Sequence, residues 1–510
     1  MATSAPATAT SAVPVKSSNQ SLAPTVSNQN VHAGEQIIVT TDFLKAEIST
    51  IGGDINRVDF LKHFDITDKS KPFELFRHDE EHTYIAQSGL LGENLPTHNT
   101  AFTSEKKEYT LTDNSDKIEV RMTATNIPGF KVTKVFVFHK SSYLIDVGYE
   151  VNNLSTKQIK PSAYFQLVRD NFEPLGSTKF VPTYTGPAVY TEKDKFNKVD
   201  FDNISKNKAG LPPTADDGWV GMLQHYFVSA WLPVGNSPRE FYAKKLDEKL
   251  YSVGLIVPVN IIEPGQTGNI SVPLYAGPAS SNLDEIAPGL GLTVDYGFLT
   301  IIAKPIFWLL TAIHSWVNNW GYAIILLTIL IKLAFFPLSA ASYRSMAKMR
   351  VVAPKLAKIK EQYGNDREKL NRAMMDLYKT EKINPLGGCL PVLIQIPVFI
   401  SLYWSILASV EMRYAPFMGW ITDLSRADPY YVLPVIMGVS MYIQSKLNPT
   451  PPDPLQAKLM QIMPIAFSVV FFFFPVGLVL YSVVNNVLSI AQQWYITKNI
   501  EAAVKGVAKV

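Results

Sequence analysis

A single cysteine, Cys389, occurs in 510 residues. One thiol permits no intramolecular disulfide, no Cys-rich zinc site and no iron–sulfur cluster. Net charge is also scarce, since 47 Lys and Arg stand against 44 Asp and Glu. That balance is a cancellation. Residues 1–31 carry one Lys and no acid, residues 32–293 carry 26 basic against 33 acidic residues (net −7), and residues 294–510 carry 20 against 11 (net +9). The last block also holds nearly all the long apolar runs, which excludes a single soluble globule and excludes disorder as the main state.

Large apolar side chains are almost missing from residues 2–31, a run of Ala, Ser, Thr, Pro and Asn. Such a segment cannot bury enough surface to offset its ordering entropy, so residues 1–31 read as a flexible tether. No charged n-region followed by an apolar h-region precedes it, and the expectation is a chain without a signal peptide or N-terminal anchor as written.

Residues 32–293 alternate apolar and polar positions between turn residues. Strands are expected at Gln36 to Thr41, Lys117 to Ala124, Phe130 to Phe138, Tyr143 to Val151, Glu240 to Ala243, Gly254 to Ile261 and Asn269 to Tyr275. Many short strands at this spacing indicate a β-sandwich, and about 260 residues suffice for a core without disulfides. A helical stretch near Ser281 to Ala287 follows.

From Phe298 the pattern changes. Phe298 to Val317 is apolar but holds Lys304, Pro305, His314, Trp308 and Trp316, a mixture that suits a helix lying in the membrane interface better than one crossing it. Domain boundaries follow as an interfacial helix over 294–319, a span over 320–338, a basic helical hairpin over 339–384, four more spans within 385–497 and a tail over 498–510. The five spanning candidates are Trp320–Leu338, Val392–Ser409, Tyr431–Ser445, Leu459–Phe474 and Val476–Trp494. Several reach only about 22–27 Å at ~1.5 Å per residue, short of a ~30 Å hydrocarbon core. Ser339–Asn384 carries 11 basic against 5 acidic residues (net +6), which places that loop and the tail in the cytoplasm and the acidic β domain outside.

Catalytic patterns are scarce. His78-Asp79-Glu80-Glu81-His82 formally matches H-x-x-E-H, but it lies in a turn-rich stretch of a β domain with no evident third ligand, and reads as a solvated loop. Gly52-Gly53 lacks phosphate-loop spacing, and no G-x-S-x-G elbow occurs.

Lys332 is more informative. An ammonium within an apolar helix costs ~2.5–3.5 kcal/mol on insertion scales and usually faces a bundle interior or a wet cavity. It lies six residues from the basic loop, so snorkelling to the interface is the competing reading. Thr328 lies one turn earlier on the same face, Gln395 lies early in the second span, and Asn485 and Asn486 lie in the fifth. These residues either hydrogen-bond between helices or together wet a groove. Tyr343 to Tyr363 and Arg367 to Thr380 read as a helical hairpin, with Met346, Met349, Leu356 and Ile359 facing Met374, Met375, Leu377 and Tyr378. Its basic outer surface suits ribosomal RNA, a nascent chain or anionic lipid. Phe471 to Phe474 is either lipid-facing bulk or a slide for apolar segments.

Asn384-Pro-Leu-Gly-Gly-Cys-Leu-Pro-Val-Leu-Ile-Gln-Ile-Pro397, Ser345-Met-Ala-Lys-Met-Arg350, Asp428-Pro-Tyr-Tyr431 and Phe474-Pro-Val-Gly-Leu-Val-Leu-Tyr481 resemble the YidC/Oxa/Alb family of membrane protein insertases. The resemblance extends over residues 32–500, with Gln87-Ser-Gly-Leu90 and Trp219-Val-Gly-Met-Leu-Gln224 in the outer domain. It implies a multi-pass α-helical membrane protein, with a five-helix core and cytoplasmic hairpin, plus a large periplasmic all-β supersandwich. It also implies a bacterial inner-membrane location, no enzymatic activity and no cofactor. The implied groove is hydrophilic, opens to cytoplasm and lipid, and takes polar segments of incoming proteins while their apolar spans slide along the second and fourth core spans.

Carried over residue by residue, Lys332 falls where the family usually has Arg, keeping the charge and losing the bidentate fork. Thr328, Gln395 and Asn486 match groove-lining positions, and Tyr481 matches a substrate-contact position whose second tyrosine is here Ser482. Phe399, Leu402, Phe471 and Phe472 are the implied apolar slide. Implied partners are nascent membrane proteins, the Sec translocon with its SecDF accessory complex, the ribosome or signal recognition pathway at the hairpin and tail, and membrane lipids. The family's Gram-negative members begin with a transmembrane signal anchor, so a trimmed start is expected. Cys389 reads as a small packing residue. Two other functions fit parts of the pattern: a secondary transporter with Lys332 as counter-ion, and a membrane-anchored carbohydrate-binding or sugar-epimerising protein.

Overall fold

The computed structural model describes residues 34–65, 68–174, 184–364, 366–381, 390–448 and 454–507. Cys389, the tether over 1–31 and the start of the Asn384 motif lie outside the described residues. Two compact units are present, one within residues 34–277 and the other chiefly within residues 278–507.

The first unit is built, among the described residues, on a ten-stranded and a nine-stranded sheet. Strands expected from alternation are present at Gln36–Thr40, Lys117–Ala124, Phe130–His139, Leu144–Asn153, Arg239–Lys245, Leu250–Pro258 and Thr267–Pro278. Others carry no alternation because both of their faces are covered. Thr83–Leu91 and Ser162–Asp170 pair antiparallel in the middle of the larger sheet and are buried except at their ends. Gly89 is required there, since a Cβ would stand 2.4 Å from the Tyr164 hydroxyl of the neighbouring strand. A short helix, α1 (Phe201–Ser205), packs Ile204 on Val199 and Tyr251.

This core is not wholly apolar. Gln87 Nε2 donates to Asp54 Oδ2 at 2.7 Å, Gln166 Nε2 donates to Gln87 Oε1 at 2.8 Å, and the Tyr242 hydroxyl donates to Gln166 Oε1 at 2.9 Å. Lys134, 1% exposed, donates to the Gly52 carbonyl at 2.9 Å. Burial pushes the Asp54 carboxyl up to about 7 against the pull of Lys134, and burial lowers Lys134 to about 8 against the charge of Asp54. Of the histidine pair in the H-x-x-E-H pattern, His78 ends the strand Pro72–His78. His82 instead meets Asp170 Oδ2 at 3.2 Å, and no metal-holding cluster of His, Cys, Asp or Glu occurs among the described residues.

In the second unit the stretch expected to be a helix over Ser281 to Ala287 is a single 3₁₀ turn, Ser281–Glu285. Pro288 and Gly289, the latter at φ 75°, follow too closely for it to continue. Then come α2 (Thr300–Val317), α3 (Trp320–Ala334), α4 (Phe336–Tyr363), α5 (Arg367–Thr380), α6 (Leu390–Ala408), α7 (Val432–Leu447), α8 (Pro454–Phe471) and α9 (Val476–Val507).

Several boundaries differ from the sequence reading. α2, expected to lie in the interface, is by length and composition also long and apolar enough to cross a membrane. Lys304 sits near its start and pairs with Asp284 at 3.8 Å, while Trp308 and Trp316 stay exposed further along. Ala303, Phe307, Leu310 and Ile313 form its buried stripe, packed toward α3 and α6. The span expected over Trp320–Leu338 ends at Ala334. There the chain bends by 67° into α4, because Pro337 in the first turn of α4 cannot donate to a helix running through it. α8 stops at Phe471 rather than Phe474, ahead of Pro475, while α9 runs 32 residues to Val507, through much of the expected tail.

The hairpin is present in α4 and α5. Val352, Leu356 and Tyr378 pack with Met349, Met374 and Leu377. Met346 departs from the expected seam and joins Ala340, Tyr343, Ile496 and Ile500, and Met375 is half-exposed. At the opposite end, the loop after α6 ties three helix N-termini together. Asn319 caps α3 and donates to the Phe417 carbonyl at 3.1 Å. Asp428 accepts from Leu433 N at the start of α7 at 2.8 Å. Val476 N and Gly477 N of α9 donate to the Arg426 and Leu424 carbonyls at 2.7 and 2.9 Å. These bonds satisfy donors that a helix cannot satisfy itself.

Candidate functional site

The polar residues of α9 recur at helical spacing. Asn485, Ser489 and Gln492 share one stripe and Asn486 and Gln493 the adjacent one. Packing of α9 against α3, α4, α6 and α7 buries most of them. Asn486 Nδ2 donates to Ser440 Oγ of α7 at 2.9 Å, and Gln493 Nε2 donates to the Leu447 carbonyl at 3.1 Å. Gln492 Nε2 reaches the Phe336 carbonyl at the α3–α4 bend, at 3.3 Å.

Lys332 stands in the last turn of α3 and is half-buried. Its Nζ donates to Ser489 Oγ at 2.6 Å, and among the described residues no carboxylate lies within ion-pair distance of it. Beside it opens a cavity of about 30 Å³ lined by Ile331, Lys332, Phe335, Leu338, Ser339, Gln395, Val398, Tyr481 and Asn485. That is room for a water or two. The Tyr481 side chain is 1% exposed, and its hydroxyl has no hydrogen-bond partner among the described residues. A buried phenol without a partner costs about 1–3 kcal/mol, so the wall holds one unspent donor beside one cation.

Of the residues singled out from sequence, Lys332, Gln395, Tyr481 and Asn485 line this cavity. Thr328 does not. It is fully buried and its hydroxyl bonds back to the Ile324 carbonyl of its own helix at 2.7 Å. Asn486 is turned to α7, and its neighbour Asn485 takes the place at the cavity. The expected slide is also partly inward. Leu402 is fully buried and Phe471 is 6% exposed. Phe399 meets the rings of Phe471 and Tyr481, both at 6.4 Å, and Phe472 stacks on Tyr431 at 5.2 Å. Among the described residues, the large apolar side chains that α6 and α8 expose are Ile396, Ile462, Met463, Phe467, Val469 and Val470. Sequence reading missed Ser339 and Ser489. The Asn485–Ser489–Gln492 spacing was the available signal for Ser489.

Two family descriptions cover the chain: the YidC periplasmic domain matches residues 36–309, and the 60Kd inner membrane protein matches residues 312–503. The class is therefore an inner-membrane protein in which a periplasmic β domain is joined to a helical region. The membrane protein insertase YidC of Nitrosospira multiformis is 58% identical over 501 residues, covering 98% of this chain and 88% of that protein. Its counterpart in Nitrosomonas europaea is 57% identical over 469 residues, covering 91% and 76%. The chain belongs to the YidC family of membrane protein insertases. A crystal structure of active YidC insertase with its first transmembrane domain resolved is similar over 91% of this chain and 93% of that chain, with 19% identity and a TM-score of 0.42.

Proposed function

We propose that this chain inserts and folds integral membrane proteins in the bacterial inner membrane, alone or beside the Sec translocon, and that the cavity at Lys332 is where a polar substrate segment is received. The observation that carries the reading is a cation that, among the described residues, has no carboxylate, next to a phenol that has no partner among them, in a cavity whose wall combines Ser339, Gln395 and Asn485 with apolar side chains. Such a site lowers the cost of bringing an acidic or hydrogen-bonding segment partway into a bilayer. Apolar burial of the substrate's own span in lipid supplies the driving force.

The β domain over 32–293 lies in the periplasm, the hairpin over 339–384 and the tail over 498–510 lie in the cytoplasm, and the five spans within 320–497 form the core. The excess of Lys and Arg in the hairpin supports this orientation. α3 has 15 residues, about 22 Å at ~1.5 Å per residue, and a helix this short thins the bilayer around it. A cavity of about 30 Å³ is too small for a peptide, so reception requires α3 and α6 to part from α9. The substrate's apolar span leaves along Ile396, Met463, Phe467 and Val470. SecDF, the ribosome and the signal recognition pathway are the partners proposed for the assembled system.

A photo-reactive side chain placed at Gln395 tests the reading. Crosslinks to a stalled nascent membrane protein are expected from Gln395 and from Phe467. Their absence at both positions, with the chain folded and the ribosome bound, contradicts it.

A further inference from the structure

The two readings that the sequence leaves open for Lys332, a groove charge or a snorkelling one, differ in where the ammonium goes. Its partner settles the direction. Lys332 Nζ points to α9, where Ser489 Oγ accepts at 2.6 Å. A hydroxyl has one hydrogen and two lone pairs. The Ser489 hydrogen is already committed to the Asn485 carbonyl at 2.7 Å, so the oxygen presents only acceptor capacity to the ammonium. Ser489 is 3% exposed, so this acceptor is built into the packing of α9 against α3 and α4.

A lysine stem is long and flexible, and among the described residues its hydrogen bond goes to α9 rather than to its own helix. We propose that Ser489 is a positioning residue: it holds the Lys332 ammonium against α9 at the cavity wall while the groove is empty, so that an acidic segment of an incoming membrane protein meets a charge already in place. The contact is an ion–dipole one. A substrate carboxylate offers the ammonium a stronger partner, and the hydroxyl gives way to it or shares it without leaving a buried charge unpaired. A carboxylate in the place of Ser489 would neutralise the site, and an apolar side chain would leave the ammonium to seek the interface.

The inference rests on the proposed groove, and the test separates the two. Full-length chain in proteoliposomes is given a single-span substrate whose translocated tail carries either Asp or Asn at the same positions. Ser489→Ala is expected to lower insertion of the Asp tail by about tenfold, the lower end of the scale of one lost hydrogen bond to a charge, and to change the Asn tail by less than about twofold. Ser489→Thr keeps the hydroxyl and is expected to restore the Asp tail. In a Lys332→Ala background, Ser489→Ala is expected to add nothing. Equal losses for both tails, or a loss that persists without Lys332, assign Ser489 to packing alone and overturn the inference. An intact S489A beside an impaired K332A overturns it and leaves the groove standing, whereas an intact K332A overturns both.

Discussion

The ring of Phe417 occupies the space that a side chain on Gly321 would need: a Cβ there would lie 2.0 Å from its Cδ2. Tyr322 meets the same ring edge-on at 5.2 Å. The loop after α6 is thereby seated on the first turn of α3, where Asn319 also holds the Phe417 carbonyl. Gly321→Ala is expected to lower stability by about 1–3 kcal/mol, the range for forcing a methyl into a packed contact. Thermal unfolding of the detergent-solubilised chain reads the loss, and protease cleavage within 413–420 should rise with it. An unchanged melting temperature contradicts the packing described.

Asp428 does more than cap one helix. Its carboxylate accepts from Trp420 Nε1 at 3.0 Å, Tyr430 N at 3.1 Å and Leu433 N at 2.8 Å, and it is 1% exposed. Asp428→Ala strands these donors and is expected to destabilise by about 2 kcal/mol or more, whereas Asp428→Asn retains part of the set. Equal melting temperatures for the two variants would show that the donors find other partners.

Tyr481 separates stability from function. Its hydroxyl is buried and has no partner among the described residues, so Tyr481→Phe is expected to leave melting unchanged or raise it slightly. Insertion of substrates with polar tails should fall nonetheless, because the free donor is removed. A loss of stability in Y481F would mean that the hydroxyl already has a partner in the resting protein.

In the β domain, burial raises the Asp54 carboxyl to about 7. Between its ordinary value and that one, the unfolded chain gives up the proton while the folded chain keeps it. Folded stability from this group therefore falls as pH rises from about 4 to about 7. Asp54→Asn removes the effect, so the melting temperature of the variant should gain on the native chain across that window, followed by circular dichroism in the β-sheet band. A constant gap contradicts the assignment.

Much of this architecture was legible in the residues, and the exceptions have physical causes. Lys117–Ala124 and Phe130–His139 alternate because one face of each is more open than the other. Thr83–Leu91 and Ser162–Asp170 do not, because they are covered on both faces. Lys332 and Gln395 stood out as polar groups in apolar helices, and both reach the cavity. Ser489 did not stand out, since a serine in such a helix commonly bonds its own backbone, and only the packing of α9 on α3 brings its oxygen to the ammonium. Asn485 and Asn486 are adjacent, so a turn of roughly 100° decides which one faces the cavity and which one faces Ser440. Leu402 and Phe471 belong to the slide that the family resemblance implies, but packing against the neighbouring helices turns them inward.

The most direct measurement is a charge swap at the cavity. Lys332→Glu is assayed for insertion with single-span substrates whose translocated tails carry either Asp or Lys. If the cavity receives that segment by charge, Lys332→Glu loses the Asp tail and gains on the Lys tail relative to the native chain. Insertion of both tails at the native ratio would contradict a groove in which Lys332 meets the substrate.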